Sequence, residues 1–277
     1  MEKINIIIVS HNCVEVIKKN LSYLDFHKNE FNSCYVIDSG SSKEDLLFLK
    51  EIVDLYDWCN LDPIGYNVGF GKANNYGYKK YSKNAKYTLL LNPDAFIIEA
   101  DTLRSLCSYM DENVNIAACS PVLYRFNFEL NRPLGEVDSS GIYKSLLRYY
   151  DSNIDIDSIN TFDNKKKLVS LCGAFMFLRN SCVETMFDKS SFVFDENIFM
   201  YKEDIEFGLR AKKSGFNIAI VGGVKSYHCR GLKSRSESSS WQKLESAKNE
   251  MYIAWKHKEN ILPFSFLKYL FVRFFNF

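Results

Sequence analysis

Asp38 and Asp94 each close a short apolar run, and between them lies Asn67-Val68-Gly69-Phe70-Gly71-Lys72-Ala73-Asn74-Asn75. A carboxylate at the end of such a run can accept hydrogen bonds from a ligand or hold a hard cation through oxygen. Two glycines two apart ahead of a helix let backbone N–H groups approach a phosphate at the helix's positive end. The stretch is not a dinucleotide fingerprint, because Asn74 stands where a third glycine is needed. It is not a P-loop either, because Ala73 rather than Ser or Thr follows Lys72. Far along the chain, Glu203-Asp204 sets two carboxylates side by side. Their repulsion raises one pKa, which suits a general base, although acidic residues also favour the first turn of any helix. Arg210 lies four residues after Glu206, the spacing of a structural ion pair. His228 offers an imidazole, and Arg230, Lys233 and Arg235 follow it as either a phosphate clamp or an ordinary solvated basic loop.

These residues need a frame. Ile4-Asn5-Ile6-Ile7-Ile8-Val9 and Cys34-Tyr35-Val36-Ile37 are β-branched runs without alternation, as in strands buried on both faces. Helical spacing between them at Val14, Ile17, Leu21 and Leu24 makes a β-α-β unit. Helices over 46–55 and 72–81 and strands over 58–61 and 87–91 continue the alternation, which predicts an α/β fold with a parallel sheet. Ligands of such sheets bind beyond the carboxyl ends of the strands. Ser10-His11-Asn12, Asp38-Ser39-Gly40 and Asn92-Pro93-Asp94 cluster at those ends. A helix over 102–110 and a strand over 116–123 precede a polar, aperiodic stretch over 127–167, expected to be an irregular functional segment. An apolar run over 168–178, a helix carrying 203–213 and a last strand over 216–221 complete the body, which leaves His228 in a loop.

Composition narrows the class. The 277 residues are 47% hydrophobic with a net charge of +1, too apolar for disorder and too neutral for a dedicated nucleic-acid binder. The charge is uneven: from Lys225 onward there are ten Lys/Arg against four Asp/Glu. The eight cysteines form no C-x-x-C pair or zinc grouping. Met1-Glu2-Lys3 leads at once into a β-type run rather than a secretory leader, so a reducing cytosol is expected.

In order along the chain stand Ile-Ile-Ile-Val-Ser-His (6–11), Asp-Ser-Gly-Ser-Ser (38–42), N-x-G-F-G-x-A-N-N-x-G (67–77) and L-L-N-P-D (90–94). C-G-A-F-M-F-L-R (172–179), F-D-E-x-x-F-M-Y-x-E-D-I-E (194–206) and His228 follow. This series resembles the bacterial family 2 glycosyltransferases, and within them the rhamnosyltransferases of O-antigen and capsule assembly. The resemblance covers residues 4–231. It implies a GT-A fold, a nucleotide-diphosphate sugar donor, a Mg²⁺ or Mn²⁺ ion and inversion at the anomeric carbon. It implies that Ser10, His11, Asn12 and Asp38 line the nucleoside pocket and that Asn67, Gly69, Gly71 and Asn74 shape the donor site. Asn92-Pro93-Asp94 stands at the metal motif, with Asn92 replacing its first aspartate. Asp94, with His228, is thereby left to meet a cation that keeps waters and diphosphate oxygens. Asp204 is the implied base, with Glu203 as its neighbour.

The same resemblance divides the chain into a GT-A domain over 1–231 (donor half 1–95, acceptor half 96–231) and a helical segment over 232–277. Its implied acceptor is a saccharide on undecaprenyl diphosphate, met at the inner face of the bacterial cytoplasmic membrane. Residues 264–277 are too short and too charged to span a bilayer. Wound as a helix they place Ser265, Lys268, Tyr269, Arg273 and Asn276 on one side and Phe and Leu on the other. An interfacial helix, its basic residues on anionic lipid, is expected; docking on the body or on a second subunit of a homo-oligomer is the alternative. A UDP-hexose donor and a catalytically dead glycan-binding scaffold also stay open. A sugar nucleotidyltransferase would need an N-terminal glycine-rich basic loop, which Ser10-His11-Asn12 is not.

Overall fold

The computed structural model describes residues 4–154, 168–187, 192–229 and 239–275. Its first half follows the pattern read from sequence. Strands β1 (Ile4–Ser10), β2 (Ser33–Asp38), β3 (Cys59–Pro63) and β4 (Tyr87–Leu91) alternate with helices α1 (Val14–Leu24), α2 (Lys43–Val53) and α3 (Phe70–Tyr81). β1 pairs in parallel with both β2 and β4, so the chain runs outward to β3 and then returns to the far side of β1. At that reversal the strand tips splay, and the carboxyl ends of β1, β2 and β4 surround one crevice.

The second half joins the same sheet. Strand β5 (Ala95–Phe96), helix α4 (Thr102–Glu112), strands β6 (Ile116–Asn127) and β7 (Arg132–Ser139), β11 (Phe175–Arg179) and β12 (Asn217–His228) complete it. The order is β3-β2-β1-β4-β11-β6-β12-β5, with β7 on β6 and β11 antiparallel to both of its neighbours. A small second sheet holds β8 (Ile142–Lys144), β9 (Tyr149–Asp151) and β10 (Leu168–Ser170). Helices α5 (Asn180–Met186) and α6 (Glu203–Lys213) flank these strands. The main core is aliphatic and aromatic, with Ile6, Ile8, Leu89, Phe175 and Phe177 fully enclosed between the helical layers.

Two expectations need correction. The stretch over 127–167 is not irregular in its described part: it forms β7, β8 and β9. β7 reads Arg-Pro-Leu-Gly-Glu-Val-Asp-Ser and is exposed over its first five residues, so it is a polar edge strand without an apolar signature. The last strand also runs past 221 to His228, through an irregularity between Val221 and Lys225 where Gly223 takes φ 74°. Gly222-Gly223 looks like a turn in sequence and is a bulge in the sheet.

Helices α7 (Ser240–His257) and α8 (Leu262–Phe275) close the chain. The N-terminus of α7 carries a reciprocal Ser239–Gln242 capping box. Ile253, Ala254 and Ile261 join Ile198, Ile205 and Leu209 in one buried cluster, so this hairpin is packed onto α6.

Candidate active site

Asp38 is buried at the end of β2, where its carboxylate accepts the Ser41 N–H at 3.1 Å and the Ser41 hydroxyl. Ser10 at the tip of β1 accepts the Ser39 N–H through its carbonyl at 2.8 Å. His11 Nδ1 lies 2.9 Å from the Ser39 carbonyl, and its Nε2 lies 3.3 Å from Asn67 Nδ2. Asn12 (φ 50°) accepts the Ser42 N–H and donates its own N–H to Ser41 Oγ. The tips of β1 and β2 are thus cross-tied into one wall.

The opposite wall is the start of α3. Gly69 caps this helix at φ 83° and ψ 169°, a backbone state essentially confined to glycine. Asn67 Oδ1 accepts the Gly69 N–H at 2.9 Å, and the Phe70 N–H donates to the Phe199 carbonyl at 3.1 Å. A Cβ at Gly71 would press on the Ile198 carbonyl at 3.3 Å. Asn74 is buried and donates to the Phe70 carbonyl at 3.0 Å, so it fixes the helix entry from within. Asn75 exchanges two bonds with Phe194, Nδ2 to its carbonyl at 2.8 Å and Oδ1 from its N–H at 2.9 Å. Helix α3 and the segment ahead of α6 are therefore stitched together. A cleft of about 270 Å³ remains, lined by His11, Ser39, Asn67, Gly69, Asp94 and Met200 among others.

Asp94 sits in the turn between β4 and β5, and β5 pairs with the end of β12 so that His228 lies opposite Ala95. This register brings His228 Nε2 to 3.5 Å from Asp94 Oδ1, while His228 Nδ1 lies 2.8 Å from Asp138 Oδ2. Burial disfavours a charged ring there, but Asp94 and Asp138 outweigh it and raise the His228 pKa to about 10. Asn20 secures the turn from below, its Nδ2 donating to the carbonyls of Asn92, Pro93 and Ala95 at 3.1, 2.8 and 2.8 Å. Sequence reasoning overlooked both Asn20 and Asp138. Asn20 did leave a trace, as a polar residue one turn after Ile17 on the apolar stripe of α1.

Asp204 opens α6 and is held at both oxygens: Gly173 N–H donates to Oδ2 at 2.9 Å and Ile205 N–H to Oδ1 at 2.8 Å. At the next residue after Gly173, the Ala174 carbonyl accepts the Asn92 N–H at 2.9 Å. The turn 172–174 therefore ties the Asp94 turn and the Asp204 carboxylate to the same sheet edge. Burial raises the Cys172 thiol pKa to about 12, and the charges of Asp204, Asp138 and Asp94 push it the same way. Glu203 is enclosed, and burial followed by the Asp204 charge lifts its pKa to about 8. Asp204 is also raised by burial, but its two backbone N–H donors oppose that shift. The pair titrates together, and the two backbone N–H donors favour the ionised form at Asp204, while burial and the neighbouring charge favour the protonated form at Glu203. Glu206, by contrast, is structural as its spacing predicted: Arg210 forks onto it at 3.0–3.3 Å. Burial works against its charge, and His257, Arg210 and Lys256 more than compensate.

Among the described residues, no three His, Cys, Asp or Glu side chains converge into a ready-made cation site. Asp94 and the buried Asn92 Oδ1, which has no hydrogen-bond partner among the described residues, supply hard oxygens, and His228 would supply an imidazole on giving up its proton to the ion. That set fits a cation that draws its remaining ligands from a diphosphate. Arg230, Lys233 and Arg235 lie outside the described residues.

A reversing parallel sheet extended by antiparallel strands, with carboxylates from both halves at one edge, defines a GT-A glycosyltransferase. Residues 5–187 match the model of Glycosyl transferase family 2, and the chain belongs to that family. It is 32% identical over 246 residues to the rhamnosyltransferase WbbL of Escherichia coli K12, covering 83% of this chain and 85% of that one. It is 28% identical over 254 residues to the low-salt glycan biosynthesis hexosyltransferase Agl10 of Haloferax volcanii, covering 87% and 72%. Among solved structures, the mannosyltransferase PcManGT of Pyrobaculum calidifontis, in complex with GDP-Man and Mn²⁺, superposes with a TM-score of 0.62 at 10% identity. That alignment spans 99% of this chain and 70% of the other.

Proposed function

We propose that this glycosyltransferase inverts the anomeric centre of L-rhamnose as it moves the sugar from dTDP-L-rhamnose to a saccharide on undecaprenyl diphosphate. The product would serve O-antigen or capsule assembly. The observation that carries the reading is the 172–174 turn, which holds the Asp204 carboxylate through Gly173 and the Asn92–Asp94 turn through Ala174. Similarity to WbbL supports the sugar, and similarity to Agl10 favours a second reading with a UDP-hexose donor. Turnover of a panel of nucleotide sugars separates the two.

In this reading Ser10, His11, Asn12 and Asp38 receive the nucleoside, and Asn67, Gly69, Gly71 and Asn74 shape the wall beside the diphosphate. Asn92, Asp94 and His228 would hold Mg²⁺ or Mn²⁺; the bound ion offsets the charge that the departing nucleoside diphosphate gains. Asp204 takes the proton of the acceptor hydroxyl while its oxygen attacks the anomeric carbon in line and the bond to the diphosphate breaks. Burial and the Asp204 charge raise the Glu203 pKa to about 8, which would leave Asp204 as the ionised partner. Asp204→Asn should abolish transfer yet leave the affinity for dTDP with Mn²⁺ within about threefold, since an amide keeps the shape but accepts no proton. Calorimetry and product release measure the two; retained turnover removes Asp204 from this role.

We also infer that α8 lies on the inner face of the cytoplasmic membrane, where a polyprenyl-linked acceptor resides. Ser265 is buried and Lys268 bonds Glu250 at 3.0 Å, so these two face α7, while Arg273 stays exposed and bonds the Tyr269 hydroxyl. Phe264, Leu267, Phe271, Phe274 and Phe275 are left exposed. This corrects the expected use of Lys268 on anionic lipid, because its ammonium meets a buried carboxylate instead. Among the described residues no helix is long and apolar enough to cross a membrane, so attachment would be interfacial. Phe271→Asp with Phe274→Asp should lower co-flotation with phosphatidylglycerol vesicles at least tenfold; unchanged flotation refutes the contact.

A further inference from the structure

The residues just ahead of Glu203 adopt an unusual backbone. Tyr201 and Lys202 both stand in the left-handed region, at φ 71° and 70°, and neither is glycine. Two consecutive residues in that region persist only where their surroundings hold them. Lys202 is also the N-cap of α6, and its side chain makes no capping bond to the helix. The corner therefore decides where α6 begins and how the Asp204 carboxylate is presented.

What holds the corner comes from α7. Asn249, almost fully buried, donates through Nδ2 to the Met200 carbonyl at 2.8 Å and to the Tyr201 carbonyl at 3.0 Å. The next residue, Glu250, is fully buried and pairs with Lys202 Nζ at 2.7 Å. Glu250 also receives Lys268 of α8 at 3.0 Å. Gln242, the second member of the capping box of α7, donates through Nε2 to the Tyr201 hydroxyl at 2.8 Å. A buried amide aimed at two successive carbonyls and a buried carboxylate aimed at the next side chain exceed what helix packing needs, because aliphatic residues would pack there without desolvating polar groups.

We propose that Asn249 and Glu250 are positioning residues for Asp204. They lock Tyr201 and Lys202 in the left-handed conformation and so set the carboxylate against the turn 172–174. The inference rests on Asp204 acting as the base. It makes the C-terminal hairpin part of the catalytic apparatus as well as a surface element, with α8 joined to the corner through Lys268, Glu250 and Lys202.

The test is a double-mutant cycle on the full chain. It follows dTDP release from dTDP-L-rhamnose, with UDP-glucose as second donor, on detergent-extracted bacterial membranes, while calorimetry follows dTDP binding with Mn²⁺. Asn249→Ala should lower kcat at least tenfold and leave the donor KM and the dTDP affinity within about twofold. Glycine enters the left-handed region without steric penalty. In a Tyr201→Gly background, Asn249→Ala should therefore cost less than threefold relative to Tyr201→Gly alone, because the lock is no longer needed. An equal loss in both backgrounds, a parallel fall in dTDP affinity, or an unchanged kcat overturns the inference. Should thermal melting show that Asn249→Ala does not fold, Glu250→Gln replaces it: a lowered kcat with unchanged dTDP affinity supports the proposal, and an unchanged kcat refutes it. Asp204→Asn run alongside separates the two levels, since turnover in that variant defeats the base assignment itself.

Discussion

Replacing Gly69 with alanine tests whether the donor wall and the acceptor-half segment form one rigid joint. The added Cβ would stand 2.4 Å from the Phe199 carbonyl oxygen and 2.7 Å from the Phe199 ring, both under the 3.0 Å that such contacts tolerate. The backbone state at φ 83° and ψ 169° adds its own penalty, about 1–3 kcal/mol for a residue with a side chain. If segment 198–200 withdraws to relieve the clash, the Phe70 to Phe199 hydrogen bond is lost as well, a further ~0.5–1.5 kcal/mol. A total of roughly 2–4 kcal/mol corresponds to a loss of about thirty-fold or more in the population with the cleft correctly formed. Calorimetric titration with dTDP and with UDP, each with Mn²⁺, reads that loss directly. Gly65 is the matched control: it too has positive φ, at 90°, but a Cβ there meets nothing within 4 Å. Gly65→Ala should therefore leave nucleotide affinity within about twofold while lowering stability by ~1 kcal/mol from backbone strain alone. Equal nucleotide affinities in the two variants would refute the joint.

Asn20→Leu removes the one amide NH2 whose two N–H groups serve the carbonyls of Asn92, Pro93 and Ala95, and should lower unfolding free energy in urea by about 2–4 kcal/mol, with weaker Mn²⁺-dependent dTDP binding. A loss under ~1 kcal/mol would show that the turn holds itself. Glu203→Gln should raise the melting temperature at pH 9 and leave it unchanged at pH 4. The native chain keeps the Glu203 proton up to about pH 8, whereas the unfolded chain releases it near the ordinary glutamate value of 4.5. Wild-type stability therefore falls as pH rises through that window, by at most about 1.4 kcal/mol per unit, and glutamine has no proton to lose. Melting curves that run parallel from pH 4 to 9 would mean that Glu203 is ionised and solvated at neutrality.

Local sequence revealed what depends on local sequence. β1, β2 and β4 are unbroken β-branched or leucine runs that end in Ser, Asp or Asn, and a parallel sheet collects such ends at one edge. The position of Asp38 and Asp94 at that edge followed. Glu203-Asp204 was visible as a pair, but the turn that holds Asp204 comes from residues 172–174, about thirty positions upstream and without a polar side chain to mark it. His228 was found while its support was not. Asp138 is an ordinary aspartate in a polar stretch, and only the pairing of β7 with β6 and of β6 with β12 carries it ninety residues to the imidazole.

The C-terminal helix makes the same point from the other direction. Its periodicity correctly separates a polar stripe from an aromatic one, because that separation is a property of the helix alone. Which stripe faces inward is a property of the partner. α7 presents Glu250, a buried carboxylate already bonded to Lys202, and a second ammonium is a better neighbour for it than a phenyl ring. Ser265 and the Lys268 ammonium therefore turn toward α7, and the phenylalanines turn outward. The charge that seats α8 is the same one that reaches the corner ahead of Asp204, so the orientation of the aromatic face and the geometry of the carboxylate have a common origin in one buried glutamate.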